Sequence, residues 1–79
     1  MKQVKVLGSG CANCRTTAAL IEDVAKAKGV GIELQKVEEM REIASFGVMK
    51  TPGVVIDGKV VHAGGVPSRD KIEQWFAAA

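Results

Sequence analysis

The spacing of apolar residues changes several times along the chain, and each change predicts an element. "QVKVLG" (3–8) alternates polar and apolar residues and is rich in valine, which predicts a strand. From Cys11 to Lys28 the spacing becomes three and four. Cys14, Ala18, Ile21, Val24, Ala25 and Lys28 fall on one stripe, and Glu22, Asp23 and Lys26 lie outside it, so a helix is expected. The glycines of "KGVG" (28–31) stop it. "IELQKV" (32–37) returns to alternation, with Ile32 and Leu34 on one side. Glu38 and Glu39 favour the start of a second helix through the macrodipole. Met40, Ile43 and Ala44 supply its apolar face, and Gly47 closes it.

The clearest local signal is "GVVIDGKVVHAGG" (53–65), in which two valine-rich runs flank Asp57-Gly58. An Asp-Gly pair accepts positive φ at both positions, so this stretch predicts a hairpin. Pro67 then restricts the approach to a last helix that Ser68 can cap, and Ile72, Trp75 and Phe76 at i, i+3 and i+4 form its buried face. The order is βαβαββα. Val4, Val6, Ile21, Val24, Leu34, Val54, Ile56 and Trp75 are the candidate core, and the terminal alanines are expected to fray.

Seventy-nine residues suffice for one small domain, spanning 1–79, with a modest core. A net charge of +2, with basic and acidic residues interspersed, argues against nucleic acid, as does the lack of an aromatic stacking platform: the chain has no tyrosine, two phenylalanines and one tryptophan. No run approaches the ~18 apolar residues of a membrane span, and the apolar part of "MKQVKVLGSG" is too short for a signal peptide. A cytoplasmic location is the expectation. In that compartment a stable structural disulfide is unusual.

That bears on "GSGCANCRTT" (8–17), which holds both cysteines in a C-x-x-C spacing. As a structural staple the pair is weak, because closing so short a loop removes only about 2 kcal/mol of unfolded-state entropy. As a redox couple it has a mechanism. Cys11 falls at the edge of a predicted helix, where free N–H groups and the dipole favour a thiolate. Cys14 lies one turn further in, within disulfide reach. Gly8-Ser9-Gly10 lets the loop present Cys11 at the carboxyl end of the first strand, where open α/β sheets bind their ligands. As a metal clamp the pair suits Cu(I) or Zn²⁺. A closed zinc site needs more ligands than two cysteines and His62 supply, however, and copper chaperones with a similar loop follow βαββαβ order. A thiol–disulfide oxidoreductase is the leading reading. A soft-metal carrier, or a binding module whose cysteines sense redox state, is the alternative.

The chain resembles thioredoxins and glutaredoxins over nearly its whole length. The resemblance rests on the strand, the C-x-x-C at a helix start, Phe46-Gly47-Val48, Thr51-Pro52 about forty residues after the cysteines, the hairpin, and Gly65-Val66-Pro67-Ser68 before the last helix. It is nearest to the small archaeal and bacterial thioredoxin-like redox-active disulfide proteins with a G-x-G-C-x-x-C loop. The resemblance implies an α/β fold with a four-stranded mixed sheet in order 2-1-3-4. The first and last helices would lie on one face and the second helix on the other. It further implies a monomer without cofactor or bound metal. Cys11 would be the nucleophile and Cys14 the resolving thiol. Thr51-Pro52 would be a cis peptide that exposes the Thr51 backbone to an extended substrate segment. Gly64-Gly65 resembles a glutathione-holding pair, which makes Gly65 a candidate substrate contact.

The sequence also departs from these families. Gly10 precedes Cys11 where thioredoxins carry an aromatic residue, and Ala12-Asn13 separate the cysteines where thioredoxins have Gly-Pro and glutaredoxins Pro-Tyr. Lys5 stands where thioredoxins bury an aspartate, and it is expected to turn its ammonium outward. Disulfide-containing proteins are the implied substrates. A flavin-dependent, thioredoxin-reductase-like protein is the implied electron donor, with glutathione as the alternative. A glutathione site needs cations aimed at two carboxylates, and here Arg15 and Lys50 are the candidates.

Overall fold

A computed structural model describes residues 1–10 and 12–77. The elements follow the order β1 (Lys2–Leu7), α1 (Ala12–Ala27), β2 (Ile32–Val37), α2 (Met40–Ser45), β3 (Gly53–Ile56), β4 (Lys59–Ala63) and α3 (Arg69–Ala77). The strands form one sheet in order β2-β1-β3-β4, as expected. β1 runs parallel to β2, from Lys2 opposite Ile32 to Leu7 opposite Val37, and antiparallel to β3, with Val4 opposite Ile56 and Leu7 opposite Gly53. β1 ends one residue before the predicted strand does. The Gly8 N–H still reaches the Val37 carbonyl at 2.9 Å, but there the chain turns toward α1. The expected first residue of that helix, Cys11, lies outside the described residues, as do Ala78 and Ala79 of the alanine end.

Local chemistry accounts for the turns. Asp57 and Gly58 both have positive φ, 50° and 83°, the twist that joins adjacent antiparallel strands. Asp57 Oδ1 also accepts the Gln3 N–H at 2.9 Å, so the hairpin tip is tied to β1. An irregularity between Val54 and Val55 shifts the β3–β4 register, and β4 at the sheet edge leaves Val60 exposed. Ser68 Oγ accepts the Lys71 N–H at 3.1 Å, the expected cap of α3.

Strand alternation divides the sheet into two faces. Val4, Val6, Val54 and Ile56 point toward α1 and α3, where they pack with Ala18, Ile21, Val24, Ala25, Ile72 and Phe76. Leu7 and Val55 point the other way and meet Val37, Ile43 and Val48. Four details differ from the sequence expectation. Phe76 is the aromatic residue buried from α3, while Trp75 is only partly buried and tilts against His62, with ring centroids 6.2 Å apart. Leu34 packs at the margin of the core because β2 is an edge strand. In α2 only Ile43 is buried; Met40 is 70% exposed and Ala44 is exposed, because six residues turn one side chain, not a full stripe, onto the sheet. Lys28, the end of the predicted stripe, lies beyond α1 and is exposed.

Arg69 joins α3 to α1 through Asp23 at 2.7 Å and also pairs with Glu73 at 3.3 Å. Its pKa is pushed above the ordinary guanidinium value, chiefly by the hydrogen bond to Asp23. All three side chains are well exposed, so these pairs do little for stability.

Candidate active site at the carboxyl end of the central strand

Three segments meet where β1 ends. The first is the loop from Gly8 to Gly10, which leads into α1. Gly10 has φ 67°, which favours glycine, and its carbonyl accepts a hydrogen bond from Arg15 Nη1 at 2.7 Å. The second is the first turn of α1. Cys14 projects inward from it, is 6% exposed and is disulfide-bonded. Thr17, one turn on, is fully buried and donates its hydroxyl to the Asn13 carbonyl at 2.7 Å, so this end of the helix carries no orphaned hydroxyl. The third is the approach to β3, where the Thr51–Pro52 peptide is cis, Thr51 is exposed and Pro52 is buried.

Gly8 explains how the three fit together. A Cβ at this position would collide with Cys14 Sγ and would lie 3.5 Å from the Thr51 Cβ. The cysteine sulfur thus occupies the space that any other residue 8 would fill, and Thr51 closes on the same point. The structure brings together Cys14, Thr51 and Pro52 of the predicted site residues, whereas Cys11 lies outside the described residues. Gly65 belongs to the neighbouring β4–α3 turn with Gly64. Both have positive φ, and the Gly64 N–H bonds the Pro52 carbonyl at 2.9 Å, which ties this turn to the proline.

His62 is spent within that turn. Its Nε2 lies 2.9 Å from the Gly65 carbonyl and donates to it, leaving Nδ1 to accept from the Lys71 ammonium at 2.8 Å. Among the described residues no group of three His, Cys, Asp or Glu side chains could hold a metal ion. The Lys5 ammonium lies over the Phe46 ring, with Nζ 5.4 Å from its centroid, on the α2 face.

A cavity of about 130 Å³ opens beside Cys14, lined also by Val6, Gly8, Gly10, Arg15, Lys36 and Glu38. The sequence reading did not place Lys36 or Glu38 at the site. The only available signal was register: Val37 pairs with Leu7, so the residues on either side of it must lie beside the loop that follows β1.

An α/β sheet in order 2-1-3-4, a C-x-x-C sequence whose Cys14 lies in the first turn of the first helix, and a cis-proline near that cysteine define the thioredoxin class of redox folds. Residues 2–77 match the family described as thioredoxin domain. The chain is 31% identical over 74 residues to a thioredoxin of Methanothermobacter thermautotrophicus, covering 94% of this chain and 96% of that protein. It is 32% identical over 74 residues to a thioredoxin of Methanocaldococcus jannaschii, covering 94% and 85%. Its fold is similar to that of thioredoxin-2, a component of malaria parasite protein secretion machinery. The TM-score is 0.73 at 15% identity, over 100% of this chain and 84% of that one. The chain belongs to the thioredoxin family, and its role is that of a thiol–disulfide oxidoreductase. No described helix is long and apolar enough to cross a membrane.

Proposed function

We propose that residues 1–79 act as one cytoplasmic domain that reduces protein disulfides through a Cys11/Cys14 couple, without a cofactor. The observation that carries this reading is the seating of Cys14: buried, packed against Gly8 and next to exposed Thr51. Cys11 attacks a substrate disulfide and forms a mixed disulfide. Cys14 then attacks the Cys11 sulfur, closing the intramolecular disulfide and releasing the second substrate thiol. The backbone of Thr51 pairs with an extended substrate segment, and Gly65, whose turn is bonded to Pro52 through Gly64, extends that surface.

The electron donor is a flavin-dependent, thioredoxin-reductase-like protein, with glutathione as the alternative. A glutathione site needs cations aimed at two carboxylates. Of the two candidates Arg15 is bonded to the Gly10 carbonyl, which leaves exposed Lys50, and Gly8-Ser9-Gly10 supplies no cation.

The cysteine variants test the order of events. Cys11→Ser is expected to abolish attack on a disulfide, whereas Cys14→Ser attacks once and stalls as a mixed disulfide visible by mass spectrometry. In the reduced protein Cys11 is expected to alkylate first at pH 6. Faster labelling of Cys14 would reverse the two roles.

A further inference from the structure

We propose that Glu38 accepts the proton of Cys14 when that thiol resolves the mixed disulfide. The inference rests on the reading of Cys14 as the resolving thiol. A thiol must become a thiolate to attack a disulfide, and burial opposes that ionisation. Cys14 is 6% exposed and packs under Gly8, so its proton needs a nearby acceptor.

The cavity beside Cys14 limits the choice. Its charged lining residues are Arg15 from α1, Lys36 from β2 and Glu38 just after β2. A guanidinium or an ammonium has only donors, so neither cation can take the proton while charged. Both favour a thiolate once it forms. Glu38 is the one carboxylate lining the cavity among the described residues. Val6 and Gly8, which also line the cavity, carry no titratable side chain, and the hydroxyl of Thr17 donates to the Asn13 carbonyl.

Backbone pairing fixes where Glu38 stands. Val37 pairs with Leu7, and its carbonyl accepts the Gly8 N–H at 2.9 Å, so residue 38 leaves the sheet beside the loop. Glu38 Oε1 lies 3.5 Å from the point where a Cβ on Gly10 would sit. The carboxylate therefore reaches over the loop toward the start of α1. A cavity of about 130 Å³ has room for water to carry a proton from sulfur to carboxylate.

The step balances. In the mixed disulfide Cys11 is bonded to one substrate sulfur. The Cys14 S–H bond breaks and its proton passes to Glu38. The Cys14 thiolate forms a bond to the Cys11 sulfur, and the bond from Cys11 to substrate breaks. The substrate leaves as a thiolate that takes up a proton. The dithiol has lost two electrons and the substrate disulfide has gained them.

The test uses the full-length reduced protein and an aromatic disulfide, 5,5′-dithiobis(2-nitrobenzoate), in stopped flow. Attack releases one coloured thiolate and resolution releases the second. Glu38→Gln is expected to slow the second release about tenfold or more, to leave the first within about twofold, and to move the pH profile of the second step upward. Glu38→Asp should restore part of the rate. Equal slowing of both releases, or an unchanged second release, overturns the proposal. So does a second release that depends on Lys36→Gln and not on Glu38→Gln. If the wild-type protein releases only one equivalent, the resolving role of Cys14 fails and this inference with it. Two equivalents with no dependence on Glu38 overturn this inference alone.

Discussion

The two faces of the sheet are built on different scales. Toward α1 and α3, side chains from four elements share one cluster, and Val4, Ile21, Val24, Val54 and Ile72 are fully buried. Toward α2, a helix of six residues supplies one buried side chain, Ile43, and the cluster is completed by Leu7, Val37, Val48 and Val55. Lys5 lies on this thinner face with its ammonium over Phe46. The contrast shows how a small chain divides its work. The two long helices bury most of the apolar surface, which leaves α2 and the loop after it free to be short and to carry exposed Met49, Lys50 and Thr51 beside the site. Loops of low contact density on a rigid support are where binding surfaces are usually found.

The largest expected effect comes from opening the thicker face. Ile21→Ala should cost about 4 kcal/mol in urea unfolding, and Ile43→Ala about 2 kcal/mol, because a fully enclosed site collapses less than one at the edge of a thin layer. Equal losses would show that the faces carry equal weight. A second variant sharpens the picture at the join between α2 and the sheet. A Cβ on Gly53 would lie 2.9 Å from Val48 Cγ1 and 3.4 Å from Leu7 Cδ1. Gly53→Ala should therefore cost about 1–3 kcal/mol by overpacking, measured in the same unfolding assay, and Val48→Ala in the same chain should recover part of it. The smallest effect belongs to Lys5. Lys5→Gln removes the cation from the Phe46 ring and should cost about 0.5–1 kcal/mol. A stability gain would mean that the ammonium is held there against its preference.

Much of this architecture was legible in local chemistry. The Asp57-Gly58 turn, the Ser68 cap and the alternation of β1 each follow from residues a few positions apart, so the chain itself carries the information. The cysteine pair was equally visible, and the Gly8-Ser9-Gly10 loop before it pointed to the carboxyl end of β1, whereas Thr51-Pro52 entered through the family resemblance. Spacing misled where an element is short or lies at an edge. Met40 and Ala44 have helical spacing with Ile43, but a six-residue helix presents too little surface to bury all three. Trp75 and Phe76 are adjacent on α3, and their order in sequence does not say which one faces the sheet. The packing does, with Phe76 inside and Trp75 against His62.

The sequence by itself determined the order of strands and helices, the hairpin and the chemistry available at the site. Periodicity, turn preference and capping act within one or two turns of chain, and thiols have few chemical uses. Only the tertiary structure decided which residues surround that chemistry. Gly8 must lack a side chain because a sulfur six residues away occupies its space, and Thr51 reaches the same point from the approach to β3. Lys36 and Glu38 come to Cys14 because β2 pairs in parallel with β1 and ends beside the same loop. Such neighbours are set by strand register and by contacts between residues distant in the chain, which no local pattern records.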